Sequence, residues 1–156
     1  MAPRAASTET TLNPIEVRLN GGMLALNRFL MTLQSKRMPV ASFAAGRDGD
    51  GMRATILLDC SPETARRYTA LLSGLEDVEE IGVTDAQIEI ALLKIEGEGW
   101  RKSAARTGIG AHQTEPGVVV ASGEPETLEA WLAGIKDEVR DLVRLGPMAR
   151  PGNGGV

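Results

Sequence analysis

Aromatic side chains are scarce in this 156-residue chain: two Trp, two Phe and one Tyr. Surfaces that stack bases or sugars need exposed rings, so those binding classes fit poorly. The formal charge of −4 lacks the basic excess that displaces counterions from nucleic acid, and no nucleic-acid partner is expected. Cys60 is the sole cysteine, which excludes an intramolecular disulfide and a thiolate zinc set. Between an apolar strand and a helix, it reads as a small, half-buried residue. His112 is the sole histidine and sits with Gln113 and Thr114 in a polar stretch that reads as a solvated loop. No Ser-His-Asp set, HExxH motif or carboxylate cluster accompanies it, so a catalytic or metal-ligating role is not expected. No run of about 18 apolar residues is present to span a membrane. The first ten residues lack the hydrophobic segment of a secretory signal. The expectation is a soluble, cytoplasmic protein.

What the chain does contain is a near-repetition. Thr55-Ile-Leu-Leu-Asp-Cys-Ser-Pro62-Glu63-Thr64 runs on to Leu72, Gly74, Asp77-Val78 and Ile81. Val118-Val-Val-Ala-Ser-Gly-Glu-Pro125-Glu126-Thr127 runs on to Leu132, Gly134, Asp137, Val139 and Leu142. Each copy reads as strand, Pro-Glu-Thr helix start, amphipathic helix, glycine-containing helix end and strand. The proline-to-glycine distance is three residues shorter in the second copy, which predicts a helix about one turn shorter. Internal repetition decides architecture before individual residues do.

In the first unit, Ile15-Glu-Val-Arg-Leu19 alternates as a half-buried strand should. Asn20-Gly21-Gly22 breaks it, and Leu26, Phe29, Leu30 and Leu33 recur at helical spacing. Pro39 requires that helix to stop near Met38. Val40 to Ala45 is the next strand, Gly46 to Gly51 a hairpin turn, and Arg53 to Asp59 the returning strand. Ser61 caps a helix with Pro62 at its first position and Ala65, Tyr68, Leu72 and Leu75 on its inner face. Val78 to Val83 completes strand–helix–strand–strand–helix–strand, the ferredoxin-like order. That arrangement puts both helices on one sheet face and leaves the other to be covered, which favours dimerisation.

The second unit opens with Ile88 to Ile95. Glu96 to Pro116 leaves little room for a helix and a strand, so this copy looks trimmed there, with Trp100 to Thr107 making two helical turns before Gly108. The strand from Val118, the helix carrying Leu128, Trp131, Leu132 and Ile135, and the strand Val139 to Leu145 are intact by pattern. Trp131 lies on the apolar stripe and reads as core. Residues 1–12 and 147–156 are small, polar and rich in Gly or Pro, and are expected to be flexible tails. The fold class is therefore α+β: a βαββαβ unit over 13–85, then a shortened second unit over 86–146.

The chain resembles the regulatory small subunit of acetolactate synthase (acetohydroxyacid synthase), whose first domain is an ACT domain. The resemblance runs through Leu26-Asn-Arg28-Phe, Ala41-Ser42-Phe43, Arg53-Ala-Thr-Ile56, Leu71-Leu72 and Leu75-Glu-Asp77-Val78. It continues in Ile90-Ala-Leu-Leu-Lys94-Ile95 and in Val139 to Gly146. Together these motifs span most of residues 15–146. The resemblance implies a non-catalytic partner of a thiamine-diphosphate-dependent large subunit in branched-chain amino-acid (valine, leucine, isoleucine) synthesis. It also implies a homodimer through the ACT domain, a branched-chain amino acid as candidate effector, and no cofactor held by this chain.

The family's effector loop, between first strand and first helix, reads Asn-x-x-Gly-x-Leu-x-Arg. Aligned on Leu26 and Arg28, this chain has Gly21 for the asparagine and Leu24 for the glycine, while Pro39 replaces a second family asparagine. Asn20 could substitute after a one-residue shift. The candidate effector residues are thus Asn20, Gly21, Gly22, Met23, Leu24 and Pro39. Gly21 and Gly22 expose backbone amides at a helix start, where a carboxylate is favoured. The partners for an ammonium are missing, so weak or absent valine feedback is expected. The competing reading is a free-standing ACT-type amino-acid sensor with another partner. An enzyme lacks a nucleophile–base pair, and an RNA-recognition module lacks its strand aromatics.

Overall fold

The computed structural model describes residues 12–84 and 87–151. The junction at 85–86, nearly all of the first expected tail (residues 1–11) and half of the second (152–156) lie outside the described residues. The first unit comprises β1 (Leu12–Leu19), α1 (Met23–Ser35), β2 (Val40–Asp48), β3 (Gly51–Asp59), α2 (Pro62–Leu72) and β4 (Val78–Val83). Its antiparallel sheet runs β2-β3-β1-β4. The second comprises β5 (Gln87–Ile95), α3 (Gly99–Thr107), β6 (Gly110–Glu115), β7 (Val118–Gly123), α4 (Pro125–Ile135) and β8 (Val139–Ala149), in the equivalent order β6-β7-β5-β8. Both units are ferredoxin-like, and the α+β reading holds.

Period-two alternation decides which sheet face is dry. On β1, Ile15, Val17 and Leu19 are fully buried towards the helices, and Glu16 and Arg18 point the other way. Each such side chain contributes about 1.5–3 kcal/mol by leaving water. Ala25, Leu26, Phe29 and Leu33 of α1 close the first core with Ile56, Leu58 and Leu72. Leu30, expected on that stripe, is 37% exposed, because it lies about 100° round the helix from Phe29. The second core gathers Leu93, Ile95, Trp100, Val119, Leu128, Trp131 and Ile135. Trp131, 1% exposed, is a core residue as its position predicts.

Helix ends follow their local chemistry. Ser61 Oγ accepts from the Thr64 amide at 3.2 Å, and Pro62 stands in the first turn, as expected. α1 ends in a Schellman motif: Met38 N donates to Leu33 O and Arg37 N to Gln34 O, both at 3.0 Å. Arg37 takes the left-handed position at φ +52°, a conformation better suited to glycine. The hairpin between β2 and β3 is tighter than the six-residue turn expected. Only Gly49 and Asp50 form it, with Gly49 at φ +57° in the first central position, where a type II′ turn needs glycine.

The second unit bears out one expectation and corrects two. Its first helix and second strand are shortened as expected: α3 has nine residues against thirteen in α1 and β6 six against nine in β2. His112, Gln113 and Thr114 belong to edge strand β6 rather than to a loop; exposed nearly throughout, the strand lacks an apolar alternation. The two Pro-Glu-Thr helices are equally long at eleven residues, because Gly134 lies within α4 whereas Gly74 follows α2.

β8 also continues past Leu145, where a tail was expected, and its end lies across the open face of the first sheet. Ser42 Oγ donates to Gly146 O at 3.3 Å, and the Ala149 amide donates to Thr55 Oγ1 at 2.7 Å. Thr55 and Leu57, on the face turned away from the helices, are thereby reduced to 4% and 5% exposure. Further back, Arg144 Nε donates to Glu89 Oε1 at 2.5 Å, and its Nη1 meets Glu129 on α4. The hydrogen bond to Glu89, a buried carboxylate, is the main cause holding this guanidinium's pKa above its usual range.

Two substitutions test this account by urea denaturation. Arg37→Gly should stabilise the protein by about 1 kcal/mol, through relief of the left-handed strain. Gly51→Ala should cost about 3 kcal/mol, since a Cβ there would stand 2.2 Å from the Leu19 carbonyl oxygen. Gly46→Ala, where a Cβ meets nothing within 4 Å, serves as the neutral control.

Candidate functional site

The turn from β1 into α1 is built from residues that expose backbone. Gly21 adopts φ +119°, and a Cβ there would press on Ala25 Cβ at 3.2 Å. Gly22 occupies the N-cap position, its carbonyl accepting from Leu26 N at 3.1 Å. No side chain caps α1, so the first-turn N–H groups face outward, available to an anion. Met23 and Leu24, 71% and 67% exposed, form an apolar lip beside them.

Asp77, in the connection from α2 to β4, holds this turn in place. Its carbonyl accepts from Asn20 N at 2.8 Å, and its carboxylate takes Arg28 through Nε and Nη2, each at 2.8 Å. That two-pronged hydrogen bond is the first cause raising the Arg28 pKa, followed by the attraction of the same charge. The fork fits a guanidinium and would not fit a lysine.

Five of the six residues expected from the sequence are contiguous here. Pro39 is not among them; it stands at the opposite end of α1, a helix about 20 Å long. Its carbonyl is used structurally, accepting from Asp59 N at 2.8 Å. The residues able to receive an ammonium group lie elsewhere and were not foreseen. A cavity of about 220 Å³ beside Asn20 is walled by Asp48, Asp50 and Glu79 as well as Arg18. The Asp-Gly-Asp-Gly sequence was legible only as a turn; which wall its carboxylates join depends on sheet packing.

Cys60 is half-buried and its carbonyl accepts from Asn13 Nδ2 at 2.6 Å. Burial, with the Asp59 charge second, pushes its thiol pKa up, which suits a packed residue rather than a nucleophile. No helix among the described residues is long and apolar enough to cross a membrane.

No protein-family model matches the chain, and no curated protein matches it. Among solved structures it is similar to the acetolactate synthase small subunit from Thermotoga maritima, at TM-score 0.72 and 12% identity, across 87% of this chain and 94% of that one. The chain shares that subunit's fold. The ligand-free regulatory subunit of aspartate kinase from Thermus thermophilus is also similar, at TM-score 0.48 and 12% identity, across 83% of this chain and 93% of that one.

If Asp77 anchors the turn, Asp77→Ala should speed amide hydrogen exchange across residues 20–28 while leaving the β1 amides protected. Equal acceleration in both would show that the turn has no separate anchor.

Proposed function

We propose that this protein is a non-catalytic regulatory subunit. It binds and activates a thiamine-diphosphate-dependent acetolactate synthase large subunit in branched-chain amino-acid synthesis. The observation that supports this most is the shared two-unit fold, which extends over nearly the whole length of a known acetolactate synthase small subunit. The ordered motifs from Leu26 through Gly146 point the same way. The chemistry would belong to the large subunit, and a cytoplasmic location goes with that role.

A branched-chain amino acid is the candidate effector at Asn20 to Leu24. Its carboxylate would meet the amides at the start of α1, and its ammonium the wall of Asp48, Asp50 and Glu79. This half-open arrangement, with Pro39 at the far end of the helix, goes with weak or absent valine feedback. A homodimer through the first unit is supported by two adjoining features. β2 is an edge strand of nine residues, with one side of its backbone free to pair. α1, which leads into it, exposes Met23, Leu24, Leu30 and Met31, and β2 itself begins with exposed Val40.

Co-purification and turnover assays test the first claim. The tagged protein should retain an acetolactate synthase large subunit from the same source and raise its turnover. Failure of both would leave the free-standing amino-acid sensor as the reading. Light scattering after gel filtration tests the second: the wild type should run as a dimer, and Met31→Glu should shift it towards monomer without changing its circular dichroism.

A further inference from the structure

The part of the first sheet's open face not covered by β8 carries a second charge arrangement, which meets the cavity beside Asn20 at Arg18. The strand register sets Arg18 directly opposite Arg53 across β1 and β3, and opposite Glu80 across β1 and β4. Like charges directly opposite on neighbouring strands repel, so two facing guanidiniums need anions close by. Both have them on the Nε side, and they share Asp48. Arg53 Nε lies 2.7 Å from Glu16 Oε1 and 4.0 Å from Asp48 Oδ2, and Arg18 Nε lies 3.2 Å from the same Asp48 oxygen, near enough for attraction but out of line for a hydrogen bond. Among the described residues the terminal N–H groups of both arginines make no hydrogen bond and Glu80 makes no ion pair.

These groups surround a cavity of about 260 Å³. It is slightly smaller than the roughly 300–1,000 Å³ of drug-sized pockets, so its occupant is small. Gly82 forms part of the wall as bare strand, and a Cβ there would meet nothing within 4 Å. Val83, half exposed, lies on the same strand at the sheet edge. The cavity offers donors in the two guanidinium forks and acceptors in Glu80 and Glu16. A simple anion would leave the carboxylates unmet, and a simple cation the guanidiniums.

We propose that this cavity is a second small-molecule site, built for a compact zwitterion with the chemistry of a free α-amino acid. The ligand's carboxylate lies between the Arg18 and Arg53 forks, where charge-assisted hydrogen bonds are strongest. Its ammonium meets Glu80, and a small side chain rests along the bare strand at Gly82. The site shares Arg18 with the cavity beside Asn20 but includes none of the residues of the α1 turn, and it does not depend on the protein having a catalytic partner.

The test is a titration of the isotopically labelled full chain by two-dimensional NMR with L-valine, L-alanine, isovalerate and isobutylamine. The amino acids should bind saturably and shift the amides of Arg18, Arg53 and Gly82, and the one-headed probes should bind at least about tenfold more weakly. Arg53→Met and the cavity-filling Gly82→Val should each weaken amino-acid binding by about tenfold or more, while Gly22→Val leaves it intact. Gly82→Val adds a β-branched residue into open space on a strand, so it preserves the fold if Arg53→Met does not. Absence of saturable shifts at these amides with either amino acid would overturn the proposal. So would binding that Gly22→Val abolishes and Gly82→Val spares, which would place the ligand at the α1 turn. Failure here leaves the activation assay unaffected, so the two readings fall separately.

Discussion

A four-stranded sheet with both helices on one side has only one dry face, and the treatment of its other face governs the rest of this molecule. The inner faces are settled by alternation alone: Ile15, Val17 and Leu19 on β1, and Ala91, Leu93 and Ile95 on β5. The outer faces are settled differently. The first sheet carries Glu16, Arg18, Arg53 and Thr55 there, and receives the end of β8 across its remaining part. The second sheet turns Leu92, Val143 and Leu145 outward, each more than a third exposed.

β8 therefore has two roles along one strand. From Val139 to Leu145 it pairs with β5 and is pinned by Arg144 to Glu89 and α4. From Gly146 to Ala149 it keeps pairing with β5 while hydrogen-bonding to β2 and β3. The linkage between units is thus mostly backbone and hydroxyl chemistry. It makes few demands on side-chain identity, which suits a contact that repeats poorly in sequence. Among the described residues, the surfaces left free include the β2 edge, the apolar flank of α1, the outer face of the second sheet and the charged cavity above Gly82.

Much of this was legible in the residues, and the exceptions share a cause. Elements with one buried face announced themselves, because burial imposes a period: β1, β3, β5, β7 and all four helices. β6 did not, since an exposed edge strand carrying His112, Gln113 and Thr114 has no apolar alternation. The end of β8 was hidden because Gly146-Pro147 normally punctuates, while continued pairing with β5 and contacts to the first sheet keep the strand going. At the candidate site, Gly21 and Gly22 were readable because exposed backbone is itself a sequence property. Asp48, Asp50 and Glu79 were not, and neither was the Arg18–Arg53 pairing. Their meaning depends on strand register and packing across tens of residues, which local pattern does not encode.

The duplication also has an optical consequence. Trp100 and Trp131 both lie in the second core, while Tyr68, the chain's only tyrosine, packs against the first. Indole fluorescence therefore follows the C-terminal half by itself, and phenol absorbance follows the N-terminal half. The two repeats come colour-coded, so whether they melt as one body or two can be watched without attaching a dye.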